Sequence, residues 1–261
     1  MRHWTLALAG AGILCATSIS AFAADQYSFV VSSPGGTMFR LGAGLTEVFN
    51  KNQDVAKFST VPGGGAANPA SVGSGQGEVG FSFSNFATAA YNGTAPFDEE
   101  YKDLRHVAAF WGSCYHQYIA RELYDSGIKT WEDAIASDEP LAMGAGPAGT
   151  STDAINRMVL EHLGTSFEEL EERGYKFTYT GMSATSEQLT SGQVDMYFHN
   201  SGDPNAAGVQ ASIGRELTFM GLSDNLKATL AERGFSECTI PGGVYENVDE
   251  DHASMGAKGV L

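Results

Sequence analysis

A short apolar strand that breaks into a small-residue loop and then opens a helix recurs four times in this chain. The first instance is Phe29-Val30-Val31 followed by Ser32-Ser33-Pro34-Gly35-Gly36-Thr37. The second is Val79-Gly80-Phe81-Ser82-Phe83 followed by Ser84-Asn85. The third is Leu141-Ala142-Met143 followed by Gly144-Ala145-Gly146-Pro147-Ala148-Gly149-Thr150-Ser151. The fourth is Val194-Asp195-Met196-Tyr197-Phe198 followed by His199-Asn200-Ser201-Gly202-Asp203-Pro204. In open α/β sheets, ligands lie beyond the carboxyl ends of the strands, where helix N-termini present unpaired N–H groups. Four such ends, all rich in Gly, Ser, Thr and Asn, predict a site for a small polar or anionic molecule rather than a catalytic centre.

The N-terminus reads as an export signal. Met1-Arg2-His3 is a basic start, Trp4 to Ile19 is mostly apolar, and Ala21-Phe22-Ala23 is a small-x-small cleavage site, so residues 1–23 are removed. Polar sequence follows at once, and the apolar stretch is too short for a membrane span. The mature chain then carries 14 basic and 31 acidic residues, a net charge of −17, because Arg2 is the only charged residue lost. Such a surface repels nucleic acid and anionic lipid; its acids are dispersed, as a solvated coat is. Two cysteines remain, Cys114 and Cys238. Their spacing fits no zinc pattern, and export permits a disulfide, but two separate buried thiols are the expectation.

Along the chain, residues 37–50 place Met38, Leu41, Leu45, Val48 and Phe49 on one helical face, with Thr37 as N-cap. Residues 56–62 read as a strand, followed by a short helix with Pro69 in its first turn behind Asn68. Residues 85–92 read as a helix closed by Asn92-Gly93, and 106–111 and 115–120 as two strand-like runs. A helix is expected near Trp131–Ile135, another with Ile155, Met158, Val159 and Leu163 buried, and others over 183–191 and near 223–233.

Gly144-Ala145-Gly146-Pro147-Ala148-Gly149 matches the dinucleotide fingerprint formally, but the following strand, Tyr175–Thr180, ends without the carboxylate a ribose needs. Anion capture by the same N–H groups is the better reading. Ser84, Thr150, Ser151 and Ser201 sit near the expected cleft, yet no nucleophile elbow or S-x-x-K surrounds them. The histidines are scattered without ligand spacing, and Cys114 and His116 point to one face of a strand rather than converging on a substrate. No metal and no cofactor is expected.

These loops, in this order behind a leader, resemble the TAXI family, the solute receptors of one branch of TRAP transporters. The resemblance is carried by Gly35-Gly36-Thr37-Met38-Phe39-Arg40-Leu41-Gly42, by Gly64-Gly65 with Asn68, and by Gly75-x-Gly77-Glu78-Val79-Gly80-Phe81. It continues in Ser84-Asn85, Asp125-Ser126-Gly127-Ile128-Lys129, Gly149-Thr150-Ser151, Ser191-Gly192-Gln193-Val194-Asp195-Met196-Tyr197-Phe198 and Ile240-Pro241-Gly242-Gly243-Val244-Tyr245. It spans roughly residues 27 to 261. Arg40 stands where the family has proline, Met38 where it has an aromatic, and Asp203 at a usually uncharged position.

The resemblance implies an α/β, two-lobe periplasmic-binding-protein fold of type II-like form, with crossover strands at the hinge. It implies a first lobe of residues 26–114 plus 238–261 and a second of 115–237. Members of the family continue beyond the position of Leu261, so a truncated C-terminus is expected. The ligand-binding residues so implied are Gly36, Thr37, Met38, Phe39, Arg40, Gly64, Gly65, Asn68, Ser84, Asn85, Gly149, Thr150, Ser151, Asn200, Gly202 and Asp203. Arg40 is expected to grip a carboxylate and Asp203 to accept from a ligand ammonium. The implied function is a periplasmic, monomeric, non-enzymatic receptor for a small carboxylate, a glutamate-like amino acid or dicarboxylate, docking in its closed form on a TRAP-type permease. A ligand-presenting sensor, or a hydrolase or transferase on the same scaffold, are the alternatives.

Overall fold

The computed structural model describes residues 25–34 and 36–261. The expected leader and its cleavage site, and Gly35 of the first loop, lie outside the described residues. The chain opens with β1 (Asp25–Val30), α1 (Thr37–Asn52) and β2 (Ala56–Val61), a β-α-β unit whose two strands pair in parallel from Asp25↔Ala56 to Val30↔Val61. After α2 (Asn68–Gly73), β3 (Val79–Gly80) joins the other side of β1, giving a three-stranded sheet in the order β2-β1-β3. Phe81 interrupts the run, and β4 (Ser82–Phe83) leaves for the second sheet before α3 (Ser84–Asn92), which ends on left-handed Gly93.

The two strand-like runs of the sequence form one long strand, β5 (Ala109–Ala120). Then come α4 (Arg121–Asp125), α5 (Trp131–Ile135), β6 (Ala142–Gly144), α6 (Ser151–His162), α7 (Phe167–Glu172), β7 (Lys176–Thr178) and α8 (Met182–Thr190). They are followed by β8 (Met196–Ser201), α9 (Ala206–Gly214), β9 (Leu217–Phe219), α10 (Asp224–Glu232), β10 (Ser236–Ile240) and β11 (His252–Val260). These strands build a second, mixed sheet in the order β10-β11-β5-β8-β6-β7, with β4 added on β11 and β9 on β5. Strands β5 and β11 connect its two ends. β11 pairs with β4 and β10, and β5 pairs with β8 and β9. Behind the second sheet, Trp131 stacks on Phe198 with ring centroids 3.9 Å apart, within a core that includes Tyr115, Ile119, Ile155 and Leu160.

Four expectations about local structure are corrected. Thr37 is the first residue of α1, not its cap; Gly36 occupies the N-cap position and offers no side-chain hydrogen bond. The buried face of α1 is Met38, Gly42 and Thr46, whereas Leu41, Val48 and Phe49 are exposed. The reason is close packing: a Cβ on Gly42 would sit 2.3 Å from Val31 Cγ1, so the helix turns its smallest residue to the strand. Strand β8 runs three residues further than its apolar pattern indicates, so His199, Asn200 and Ser201 are buried strand residues rather than loop. Cys114 and Cys238 are joined by a disulfide, their Cα atoms 6.0 Å apart, and are not separate thiols. Their strands flank β11, where Cys114 lies opposite Gly256 and Cys238 opposite Ser254.

Candidate functional site

The carboxyl ends of β1, β6 and β8 converge on a small, partly open cavity of about 50 Å³. The β1–α1 loop contributes Ser32, Ser33, Gly36, Thr37 and Met38, and the β6–α6 loop contributes Gly146, Pro147, Thr150, Ser151 and Thr152. Tyr197, Asn200 and Ser201 come from β8, Met182 from the start of α8, and Gly65, Phe83 and Trp111 complete the wall. Among the described residues that line it, none carries a formal charge at neutral pH. Burial pushes the Tyr197 phenol far above its ordinary value, so it stays neutral.

Polar groups here divide into those already spent and those left over. Thr150 caps α6 by accepting from Asp153 N at 3.2 Å, and its hydroxyl donates to Pro147 O at 2.7 Å. The same helix start holds the Asp153 carboxylate, which accepts from Gly149 N and from Arg157 Nε. Thr37 Oγ1 and Ser201 Oγ lie 3.3 Å apart, and Ser32 Oγ donates to Ser33 O. Helix α1 is different: sixteen residues long, it has no side-chain cap and no acid in its first turn. Its leading N–H groups and the positive end of its dipole are therefore available to an anion. The indole N–H of Trp111 and both amide atoms of Asn200 are buried without a hydrogen-bond partner.

Two loops meet at backbone level beside the cavity. Ala67 N donates to Gly149 O at 3.0 Å, and a Cβ on Gly64 would stand 2.2 Å from that carbonyl oxygen. Only glycine admits this approach. Asn68 holds the glycine loop in place and is fully occupied in doing so. It accepts from Gly64 N at 2.9 Å and donates to Val31 O at 2.6 Å and Phe81 O at 2.7 Å.

Of the residues expected to meet ligand, Gly36, Thr37, Met38, Gly65, Thr150, Ser151 and Asn200 line the cavity. Gly64 and Gly149 form the neighbouring backbone contact, and Gly202 packs near Trp111 and Thr37. Six others are placed elsewhere. Phe39 is half-buried against the core and Asn68 is committed as described. Ser84 and Asn85 lie outside the cavity because α3 starts directly on β4, which turns Ser84 to accept from Lys258 N while Phe83 faces the cleft. Arg40 is exposed and does not line the cavity. Asp203 faces His116 instead of the cleft, its Oδ1 2.6 Å from His116 Nε2. Trp111 and Met182 were not foreseen, since they arrive through a long strand and a helix start outside the repeated loops. Ser32, Ser33 and Gly146 lay within those loops but were not singled out, and Thr152 directly follows the third.

Behind the β8 wall is a buried polar layer. His116 and His199 stack with centroids 4.9 Å apart and planes 12° apart, on directly paired positions of β5 and β8. Burial, and then the neighbouring His116, hold His199 well below the ordinary histidine value. Tyr245 reaches His116 Nε2 at 3.0 Å and accepts from Asn205 Nδ2 at 2.8 Å. Cys114 and Cys238, which pack against this layer, are joined in the disulfide and so offer no thiol as a nucleophile.

With this geometry established, relatives give it a family. Residues 30–261 match the NMT1-like family. The chain belongs to that family. Its fold is the α/β, two-lobe fold of periplasmic binding proteins. It is similar to an ABC-transporter choline binding protein in an unliganded semi-closed conformation at 13% identity and a TM-score of 0.51, over 90% of this chain and 71% of that one. The alkanesulfonate-binding protein SsuA from Xanthomonas axonopodis pv. citri, bound to MOPS, matches at 12% identity and a TM-score of 0.43, over 76% of this chain and 62% of that one. The aliphatic sulphonate binding protein SsuA from Escherichia coli matches at 14% identity and a TM-score of 0.40, over 75% and 60%. This NMT1-like chain thus spans less than two thirds of the length of either sulfonate-binding protein.

Proposed function

We propose that this protein is an exported solute receptor that closes on a small carboxylate and delivers it to a TRAP-type membrane permease. The observation that carries the reading is the uncapped start of α1 opening onto a small cavity with no charged side chain among its described lining residues. In such a cavity, N–H and indole donors replace the hydration of a carboxylate in a low dielectric, where each bond is stronger than in water. The hydroxyls of Ser32, Ser33, Ser151 and Ser201 have no histidine, carboxylate or lysine beside them in the lining, which favours binding over nucleophilic chemistry.

The lobes of this reading are residues 26–114 plus 238–261 and residues 115–237. Their boundaries fall within β5 and β10, at the two cysteines of the disulfide. Opening about these strands would part Gly64 from Gly149 and Thr37 from Ser201, exposing the cavity for exchange. A permease can then distinguish the closed form by the altered relation of the lobes.

Isothermal titration of the mature protein against acetate, propionate, succinate, glutamate and choline tests the proposal. Binding of a carboxylate at about one per chain, undiminished by chelator, is expected. Binding of choline alone, or a requirement for metal, would overturn it.

A further inference from the structure

We infer that the ligand is a short hydroxy-carboxylate, seated with its carboxylate on the first turn of α1 and its hydroxyl on Asn200. The inference rests on the receptor reading above and narrows it. Asn200 is 5% exposed, lines the cavity, and has no partner for either its amide oxygen or its amide nitrogen. Because both atoms are unpaired, the conclusion is independent of which way the amide is turned. A buried amide left this way costs free energy that a matching ligand recovers.

The requirement is specific. The oxygen of Asn200 needs a donor and its NH₂ needs an acceptor, so the ligand group opposite must be both. A hydroxyl is both. A ketone accepts only and leaves the amide oxygen unpaired. An ammonium donates only, and brings a charge into a cavity whose described lining holds no carboxylate. Asp203, the acid nearest in sequence, is turned to His116. Three of the cavity hydroxyls are already engaged, since Thr150 is bonded to Pro147 and Asp153 and Thr37 lies beside Ser201.

Size points the same way. A cavity of about 50 Å³ has room for roughly three to five water-sized groups. That suits a two- or three-carbon acid better than glutamate. Phe83, Trp111, Met38 and Met182 supply apolar wall for a methyl or methylene.

The test is titration calorimetry of the mature protein with lactate, pyruvate, propionate and alanine, repeated on Asn200→Leu with its melting curve recorded. Lactate should bind at least about tenfold more tightly than propionate or alanine, as a site built to hydrogen-bond a hydroxyl rejects the analogue lacking it. Asn200→Leu should bring lactate and propionate to within about threefold of each other, propionate still binding. If wild-type protein binds these acids without preferring the hydroxyl, or prefers alanine, the inference is overturned while the receptor reading stands. If no acid in this set or in the panel above binds, the receptor reading fails and takes the inference with it.

Discussion

Asp203 Oδ1 lies 2.6 Å from His116 Nε2, and this contact fastens the loop after β8 to the middle of β5. The other ring nitrogen of His116 is 2.9 Å from the carbonyl oxygen of Cys114. Tyr245 Oη lies 3.0 Å from the same Nε2, so the buried imidazole is contacted at both nitrogens. Asp203 therefore serves the layer behind the cavity.

Asp203→Ala should then be destabilising, because fully buried His116 loses the carboxylate beside its Nε2. Leaving a buried polar group without its partner costs about 1–3 kcal/mol. Urea unfolding should show a lower midpoint, and ligand affinity should fall with it as the Asn200 wall loosens. An unchanged midpoint would show that the pair holds nothing in place.

Acid should weaken the fold through the histidines of the same layer. Burial, and then His116, lower the His252 value from 6.5 to about 4, and His199 is lowered as well. The unfolded chain binds these protons below about pH 6.5 while the folded chain refuses them until about pH 4 for His252, so stability rises with pH across that window. It is fully present above 6.5 and lost as pH falls toward 4. His252 alone accounts for a loss on the order of 3 kcal/mol. Its ring stacks on Phe219 at 5.0 Å, so His252→Phe should keep the packing and flatten the acid limb of a melting-temperature profile. A variant profile parallel to wild type would rule out this histidine as the cause.

The fold was legible wherever local chemistry decides structure. Helix α5 begins with a capping box in which Thr130 accepts from Asp133 N and Asp133 accepts from Thr130 N, and α3 stops at left-handed Gly93; both signals are in the residues themselves. What was not legible depended on the partner across a sheet. His199 and Asn200 look like loop residues until β5 brings His116 and Tyr115 opposite them and buries them. The disulfide needed the positions of β5 and β10 on either side of β11, which no spacing reveals. The same holds for the site: the small-residue loops of β1 and β6, which line the cavity, were readable from the sequence, whereas Trp111 reaches it only because β5 crosses beside it.

Thr150 separates a cap from a ligand contact. Its hydroxyl is bonded to Asp153 N and Pro147 O, so Thr150→Ala should cost about 1 kcal/mol of stability, the usual worth of an N-cap. Affinity for a bound carboxylate should change less than affinity in Asn200→Leu. Calorimetric melting and titration on the two variants check the order, and a larger affinity loss in Thr150→Ala would reverse the assignment.

Gly64 tests whether closure is needed for binding. A Cβ there would stand 2.2 Å from Gly149 O and 2.6 Å from its carbonyl carbon, both backbone atoms that no side-chain rotation can move aside. The contact lies between the loop that Asn68 holds and the loop that opens α6, so Gly64→Ala should prop these two loops apart. Overpacking of this kind costs about 1–3 kcal/mol. The cost falls on the closed form alone, and it reads as a tenfold loss of affinity for each 1.4 kcal/mol. Unfolding of the open protein should be nearly unaffected, and small-angle scattering should show no compaction when carboxylate is added. Wild-type affinity in Gly64→Ala would mean that ligand binds without the Gly64–Gly149 contact, and that the cavity does not depend on closure.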